Sequence, residues 1–136
     1  MSEQNVFPAL RYQDAHAAIE WLERAFGFER HAVYEDDGVV HHAKLKAGDG
    51  AMVMLGSVKS PEHNEYNAVA PPPGSASIYV VVSDTDAHFA RAQAAGAEIL
   101  MELHDTDYGS RDYMARDPEG NVWSFGTYNP WTAPAA

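Results

Sequence analysis

The sequence contains no cysteine, which excludes disulfide bonds, thiolate metal ligands and a cysteine nucleophile. Basic residues are scarce: 9 Lys and Arg stand against 20 Asp and Glu, so the formal net charge is −11 with histidine neutral. A surface of that sign repels phosphate backbones, so we expect no nucleic-acid partner, whereas the same field attracts a cationic ligand. No apolar run approaches the roughly 18 residues that a membrane span needs. The first ten residues also lack the basic head and apolar stretch of a signal peptide, so we expect a cytoplasmic protein with no membrane partner.

The chain holds enough apolar residues for one buried core. Hydrophobic residues make up 46% of the 136 residues, a share that argues against general disorder. This length suits one compact domain and is short for two ordinary ones. The two halves nevertheless resemble each other, with a period of about 70 residues. The tripeptide Asp-Ala-His stands at 14–16 and again at 86–88, and glycine-containing turns at 47–50 and 117–120 each precede an apolar run.

Each half has the pattern of strand, helix, strand, strand, strand. In the first half Asp14 is a candidate helix N-cap, apolar residues recur at helical spacing as far as Phe26, and Gly27 is a natural stop. In the second half Asp84 is the matching N-cap candidate. The alternating run 39–46 is typical of a half-buried strand.

These repeats predict the fold class and the domain organisation. We expect an α+β protein of two βαβββ modules, each a curved four-stranded sheet with one outer helix, whose inner faces form a cleft. The modules cover about residues 1–57 and 76–130 of a single domain, 1–136. A proline-rich linker, 58–75, joins them, and the prolines at 71–73 favour a stiff extended stretch. Function is expected in the cleft rather than on the helices.

The segment 108–126 carries a resemblance to a known family. It contains Asp-Pro-Glu-Gly at 117–120, a turn with proline second and glycine fourth that suits a tight hairpin. Together with Ala-Phe-Gly-Phe at 25–28 and the segment 42–50, the sequence resembles the vicinal oxygen chelate superfamily, the group of glyoxalases, bleomycin-resistance proteins and ring-cleaving dioxygenases. The resemblance covers nearly the whole chain and implies the fold of two βαβββ modules. It does not fix the function, because this fold hosts several chemistries.

The resemblance also implies where a metal would bind, and the residues at those positions are unsuited to it. Metal-dependent members take His and Glu ligands from the first and fourth strands of each module. The four matching positions in this sequence are Phe7, Met54, Ser77 and Ser124. None of these is a good ligand for such a metal, and a register shift of one residue brings no better one. We therefore expect no metal and no cofactor, with a relocated metal site at His41 or His42 as the alternative.

The histidines are the other candidate chemical groups. His16 and His88 are expected on exposed helix faces, and His63 lies in the proline-rich loop. Only His41 and His42 are expected in a strand near the cleft. His42 is the better candidate by strand parity, as a hydrogen-bonding group or a general base.

Strand alternation gives the residues expected to line the cleft. They form an apolar wall with methionine and aromatic side chains, which suit contact with an aromatic ligand, and a few polar groups. Asp112 could pair with a cationic group, and Tyr108 lies in the loop 105–111, which could close over the cleft as a lid. The predicted ligand-binding residues are Phe7, His42, Met52, Met54, Ser77, Tyr79, Tyr108, Asp112, Met114 and Ser124.

These residues also have purely structural interpretations. Met52 and Met54 could pack a closed core or a dimer interface. The loop 105–111 could be a turn in which Arg111 pairs with a neighbouring carboxylate. Trp21 and Trp123 are expected in the core.

Three functions are consistent with the sequence. The first is a non-catalytic protein that sequesters a small aromatic or cationic compound without metal, similar to the bleomycin-resistance proteins, which implies a homodimer with sites between subunits. The second is an enzyme of the superfamily, either a metal-free lyase or isomerase using His42, Tyr79 or Asp112 as acid and base, or a metalloenzyme with relocated ligands. The third is a structural or interaction module, which predicts a closed cleft without a pocket. Whether the modules pair within one chain or between chains stays open.

Overall fold

The two modules follow one another along the chain. The computed structural model describes residues 4–59 and 69–132; His63 and the middle of the predicted linker lie outside the described residues. The first module comprises β1 (Ala9–Tyr12), α1 (Ala15–Phe26), β2 (Glu29–Asp36), β3 (Val39–Ala47) and β4 (Ala51–Ser57). The second comprises β5 (Ser77–Val81), α2 (Thr85–Ala94), β6 (Glu98–Asp105), β7 (Arg111–Arg116) and β8 (Val122–Gly126). Among the described residues no helix is long and apolar enough to cross a membrane.

Both helices begin where the sequence predicts. The Asp14 carboxylate accepts a hydrogen bond from the Ala17 N–H at 3.1 Å, and the Asp84 carboxylate accepts one from the Ala87 N–H at 3.0 Å. Each bond satisfies an N–H group that the helix itself leaves without a partner. Helix α1 ends at Gly27, whose φ of 70° lies in the left-handed region that glycine adopts without strain.

Each module forms one four-stranded mixed sheet. The strand order is β1-β4-β3-β2 in the first sheet and β5-β8-β7-β6 in the second. The first strand of each module runs parallel to the last, and the remaining neighbours are antiparallel. The predicted α+β class with two βαβββ modules is therefore confirmed.

One core spans both modules. The two helices pack against each other, and the Phe26 ring at the end of α1 lies 4.6 Å from Phe125 of the second sheet. Phe28 adds a second contact across the modules, with its ring 5.4 Å from that of Trp123. Trp123 is fully buried and Trp21 packs against the same core, as predicted. Since the core lies on the helix side of both sheets, the opposite face of each sheet, here called its open face, is left uncovered by the helices.

His88 is half-buried and packs against this core, so the prediction of an exposed helix face is wrong. Its ring lies 4.1 Å from that of Phe125 in a tilted arrangement, and Nδ1 lies 2.6 Å from the Tyr113 hydroxyl. Nε2 is buried and makes no hydrogen bond of normal geometry within the described residues. Burial lowers the pKa of His88 to about 4, an effect that the backbone carbonyl of Phe26 only partly opposes. The reason for the wrong prediction is the packing of α2 against α1, which covers a helix face that looks polar in sequence.

The turn Asp-Pro-Glu-Gly at 117–120, which carries the family resemblance, joins the two modules. Asp117, directly after β7, is buried and accepts a hydrogen bond from the Tyr12 hydroxyl at 2.7 Å and from the Trp123 indole N–H at 3.0 Å. The next carboxylate along, Glu119, accepts the backbone N–H groups of Gln13 and Asp14 at 2.6 and 2.9 Å. The turn therefore fixes the point where β1 passes into α1, in addition to closing its own hairpin.

Candidate ligand-binding site

Half of the predicted ligand-binding residues meet on the open face of the second sheet. They line a cavity of about 420 Å³, here called the second recess. Its lining comprises the predicted Tyr79, Tyr108, Asp112, Met114 and Ser124, and also Met101, His104, Thr106 and Tyr128.

Strand pairing places these side chains next to one another. Ser124 of β8 lies between Tyr79 of β5 and Met114 of β7 in the sheet register. Residues directly opposite in neighbouring strands share a face, so the three side chains point the same way. In the next row Asp112 is flanked by Gly126 on β8 and His104 on β6. The alternation that predicted the site residues thus accounts for the wall of this recess.

Hydrogen bonds orient the polar side chains at the second recess, Ser110, Asp112 and Tyr79, here called its polar floor. The buried Ser110 hydroxyl donates to Asp112 Oδ1 at 2.5 Å and accepts the Tyr128 N–H at 3.0 Å. The Tyr79 hydroxyl donates to the Tyr128 carbonyl at 2.7 Å. Gly126 makes room for this arrangement, because a Cβ there would overlap the Asp112 carboxylate and lie 2.8 Å from the Tyr79 oxygen.

Tyrosine rings form the rim. The Tyr108 ring is 62% exposed and meets the Tyr128 ring nearly edge-on, at a centroid distance of 5.4 Å. Burial raises the pKa of the Tyr79 phenol; hydrogen bonding to Ser110 opposes this shift and the charge of Asp112 reinforces it. At neutral pH the Tyr79 phenol is therefore protonated and acts as a hydrogen-bond donor.

His104 is the chemically important residue that the sequence reasoning missed. We expected only His41 and His42 near the cleft, and that expectation is wrong because His104 lines the second recess. Strand β6 has register irregularities on either side of Met101, so simple alternation fails there. The internal repeat could have revealed the position, since His104 faces Asp112 in the second sheet as Tyr34 faces His42 in the first.

His42 and Met54 lie instead on the open face of the first sheet. They line a smaller cavity of about 290 Å³, here called the first recess, together with basic groups from Arg11 and Lys59. The Tyr34 ring stacks on the His42 ring at 6.1 Å. Each recess is lined by one module only, so the residues predicted for a single cleft are divided between two surfaces of the chain.

Three predicted residues line neither recess. Phe7 is 42% exposed, and Ser77 is exposed at the start of β5. The backbone of Met52 is held by the Gln4 side chain, through hydrogen bonds of 2.7 and 2.8 Å.

A third cavity, of about 410 Å³, lies between the β3–β4 turn, β5 and residues 129–131, and shares Tyr79 with the second recess.

The loop 105–111 has the structural role predicted for Arg111, and Tyr108 in it lies at the second recess. Arg111 forms ion pairs with Asp86 at 2.5 Å and with Asp105 at 3.1 Å, which confirms the structural role predicted for it. Tyr108 of the same loop lines the second recess. Its action as a lid stays a prediction.

Comparison with known proteins decides the family. The model of the Glyoxalase/Bleomycin resistance protein/Dioxygenase superfamily matches residues 6–125. The chain belongs to this superfamily. An uncharacterized protein of Mycobacterium bovis is 34% identical over 128 residues, which cover 91% of this chain and 83% of that protein.

Two solved structures of the superfamily fold are also similar. TioX from Micromonospora sp. ML1 has a TM-score of 0.75 and 36% sequence identity, covering 90% of this chain and 94% of that one. A glyoxalase/bleomycin resistance protein from Streptomyces sp. CB03234 has a TM-score of 0.68 and 25% identity, covering 90% and 98%.

The superfamily's metal positions do not fit a metal in this chain. Met54 and Ser124 line the two separate recesses, and neither supplies a nitrogen or carboxylate donor. The other two positions hold Phe7 and Ser77. In the part of the chain that the structure describes, no group of three or more His, Asp or Glu side chains is placed to share a metal ion.

Proposed function

We propose that this superfamily member binds and sequesters a small aromatic or cationic compound in the second recess, without metal. The observation that supports the proposal is the recess itself, with tyrosine and methionine walls over an oriented polar floor. Aromatic and methionine side chains give adaptable apolar contact, and a few fixed polar groups orient a ligand.

The hydrogen bonds of the floor favour binding over catalysis. The Tyr79 hydroxyl is already engaged with the Tyr128 carbonyl, and its raised pKa makes it a poor base. Ser110 is likewise engaged on both sides, by Asp112 and the Tyr128 N–H. Such groups hold a fixed arrangement, which suits recognition of a ligand by preorganised contacts.

We further propose that the protein acts as a homodimer, in which the open face of the first module of one copy covers the second recess of the other. The open faces carry large exposed side chains, among them Tyr34 at 55% and Met101 at 47%. Exposed apolar surface of this kind marks interaction sites. In such a dimer His42 and Met54 would complete the site. Sedimentation velocity tests this: a dimer is expected, and a monomer at concentrations that bind ligand would overturn it.

A cavity-filling variant tests the binding site. Ser124→Tyr places a ring inside the second recess, while Ser83→Tyr adds the same ring at an exposed loop position as the control. Isothermal titration calorimetry against a panel of aromatic amines and neutral aromatic compounds should find ligands for the wild-type protein. We expect Ser124→Tyr to weaken their binding at least about tenfold, or 1.4 kcal/mol, and Ser83→Tyr to leave it unchanged. Equal binding by both variants would exclude the second recess as the site.

One observation favours the alternative of a metal-free enzyme. His104 and Asp112 are cross-strand neighbours in the same recess as Tyr79, which brings together three groups able to transfer protons. Liquid chromatography with mass spectrometry of each bound compound after prolonged incubation distinguishes the two functions, since an isomer keeps its mass but changes its retention time. Recovery of the unchanged compound supports sequestration. Conversion that is lost in both Asp112→Asn and His104→Gln, with binding retained, would establish an enzyme instead.

A further inference from the structure

We infer that the group bound in the second recess is an alkylammonium cation, positioned between the carboxylate of Asp112 and the rings of Tyr79, Tyr108 and Tyr128. This inference rests on the proposed function and names the ligand class for the same site.

The first support is the carboxylate of Asp112. Ser110 donates to Oδ1 and so fixes its orientation in the wall of the recess. None of the ion pairs formed within 4–59 and 69–132 includes Asp112, whereas the nearby Arg111 is committed to Asp86 and Asp105. A partly covered carboxylate without a positive partner gains most from a ligand that brings one.

The second support is the arrangement of aromatic rings. Tyr108 and Tyr128 both line the recess, and their rings stand at an interplanar angle of 83°. Tyr79 contributes the third ring, held by its hydroxyl at the Tyr128 carbonyl. The negative face of an aromatic ring attracts ammonium groups, and several rings around one cation are the usual means of recognising quaternary ammonium.

The methionine side chains of the second recess favour an organic cation over a metal ion. Met101 and Met114 present thioether and methylene surface, which contacts alkyl substituents well and binds hard metal ions poorly. The net charge of −11 adds a long-range field that draws cations toward the protein.

Choline and its uncharged carbon isostere, 3,3-dimethylbutan-1-ol, test the inference directly. The two compounds have nearly the same shape and differ in the positive charge. Titration followed by ¹H–¹⁵N NMR should show choline perturbing the amides of Ser110, Asp112 and Tyr128, with at least about tenfold tighter binding than the alcohol. Asp112→Asn should remove this preference, because the amide still accepts from Ser110 but carries no charge. Asp107→Asn is the matched control, since it removes one negative charge from an exposed position in the adjoining loop.

A second variant guards against misfolding of Asp112→Asn. Tyr108→Leu removes an exposed ring of the rim and should weaken choline several-fold more than it weakens the alcohol. Equal affinity of the wild-type protein for both compounds at the recess would overturn the cation inference and leave the proposed function standing. If Asp107→Asn and Asp112→Asn reduced the preference for choline equally, the inference would also be overturned. The preference would then come from the negative charge of the whole protein and not from Asp112. If neither compound changed the NMR chemical shifts of the recess amides, the inference would be overturned too. The titration with neutral aromatic compounds would then test the proposed function by itself.

Discussion

The hydroxyl of Tyr12 donates a 2.7 Å hydrogen bond to Asp117, a buried carboxylate in the other module. This contact joins the end of β1 to the turn between β7 and β8. Burial, and then the charge of Asp117, raise the pKa of the Tyr12 phenol far above its ordinary value, so the proton stays on the tyrosine oxygen.

Removing this donor should destabilise the protein. Tyr12→Phe leaves the ring in place and takes one hydrogen bond from a buried carboxylate, which costs about 2 kcal/mol. Urea unfolding followed by circular dichroism measures the loss. Tyr34→Phe is the control, because it keeps the ring that stacks on His42 and removes only the hydroxyl of a residue that is 55% exposed, so the free energy of unfolding should change little. A Tyr12→Phe protein as stable as wild type would show that this hydrogen bond does not stabilise the contact between the two modules.

His88 should make the protein sensitive to mild acid. Its pKa is about 4 in the folded state against about 6.5 when unfolded, so between these pH values the unfolded chain binds more protons. Stability from this residue is complete above pH 6.5 and falls as the pH drops, by roughly 3 kcal/mol at pH 4.

Unfolding free energies across that pH range test the assignment. His88→Gln should flatten the curve between pH 6.5 and 4, whatever its stability at neutral pH, and the exposed His31→Gln should keep the wild-type slope. An unchanged slope in His88→Gln would assign the acid sensitivity to other groups.

A side chain at Gly126 should displace the Asp112 carboxylate and the Tyr79 hydroxyl. Gly126→Ala places a methyl group on the Asp112 carboxylate and 2.8 Å from the Tyr79 oxygen, and overpacking of this kind costs about 1–3 kcal/mol. Gly56 is the equivalent position in the first module, where a Cβ would lie 3.1 Å from the His41 carbonyl oxygen. Moving the Asp112 carboxylate and the Tyr79 hydroxyl breaks their hydrogen bonds to Ser110 and Tyr128, so thermal unfolding should show a larger loss for Gly126→Ala than for Gly56→Ala. The reverse order would contradict the packing described for the second recess.

Ser110 should matter for stability although it lies in a loop. Ser110→Ala leaves the Tyr128 N–H and one oxygen of Asp112 without their partner, at a cost of about 1–3 kcal/mol. Ser83→Ala, at an exposed position, is the comparison. Hydrogen exchange at the Tyr128 amide gives a local readout: it should quicken in Ser110→Ala, and unchanged protection there would mean that the hydroxyl is dispensable.

The helices and the wall of the second recess were predictable because their signals are local. Asp14 and Asp84 cap helices within three residues of their own positions, and strand alternation placed Tyr79, Met114 and Ser124 on one face. The strand predicted from the alternating run 39–46 is β3, which extends one residue further, to Ala47.

His104 and His88 were not predictable by the same means. The position of His104 depends on irregular pairing of β6 with β7, and that of His88 on the packing of α2 against α1. Both depend on contacts between segments distant in sequence, which periodicity within one segment does not record.

The sequence by itself determined the two βαβββ modules, the capped helices, the superfamily resemblance and the unsuitability of its metal positions, since each rests on residue type, short-range spacing or the internal repeat. The tertiary structure decided which side chains share a surface. It divided the expected cleft into two recesses, and it placed Asp112 beside His104 and among three tyrosines. The physical reason is that one core covers the helix side of both sheets, so the packing of the modules determines which faces remain open to a ligand.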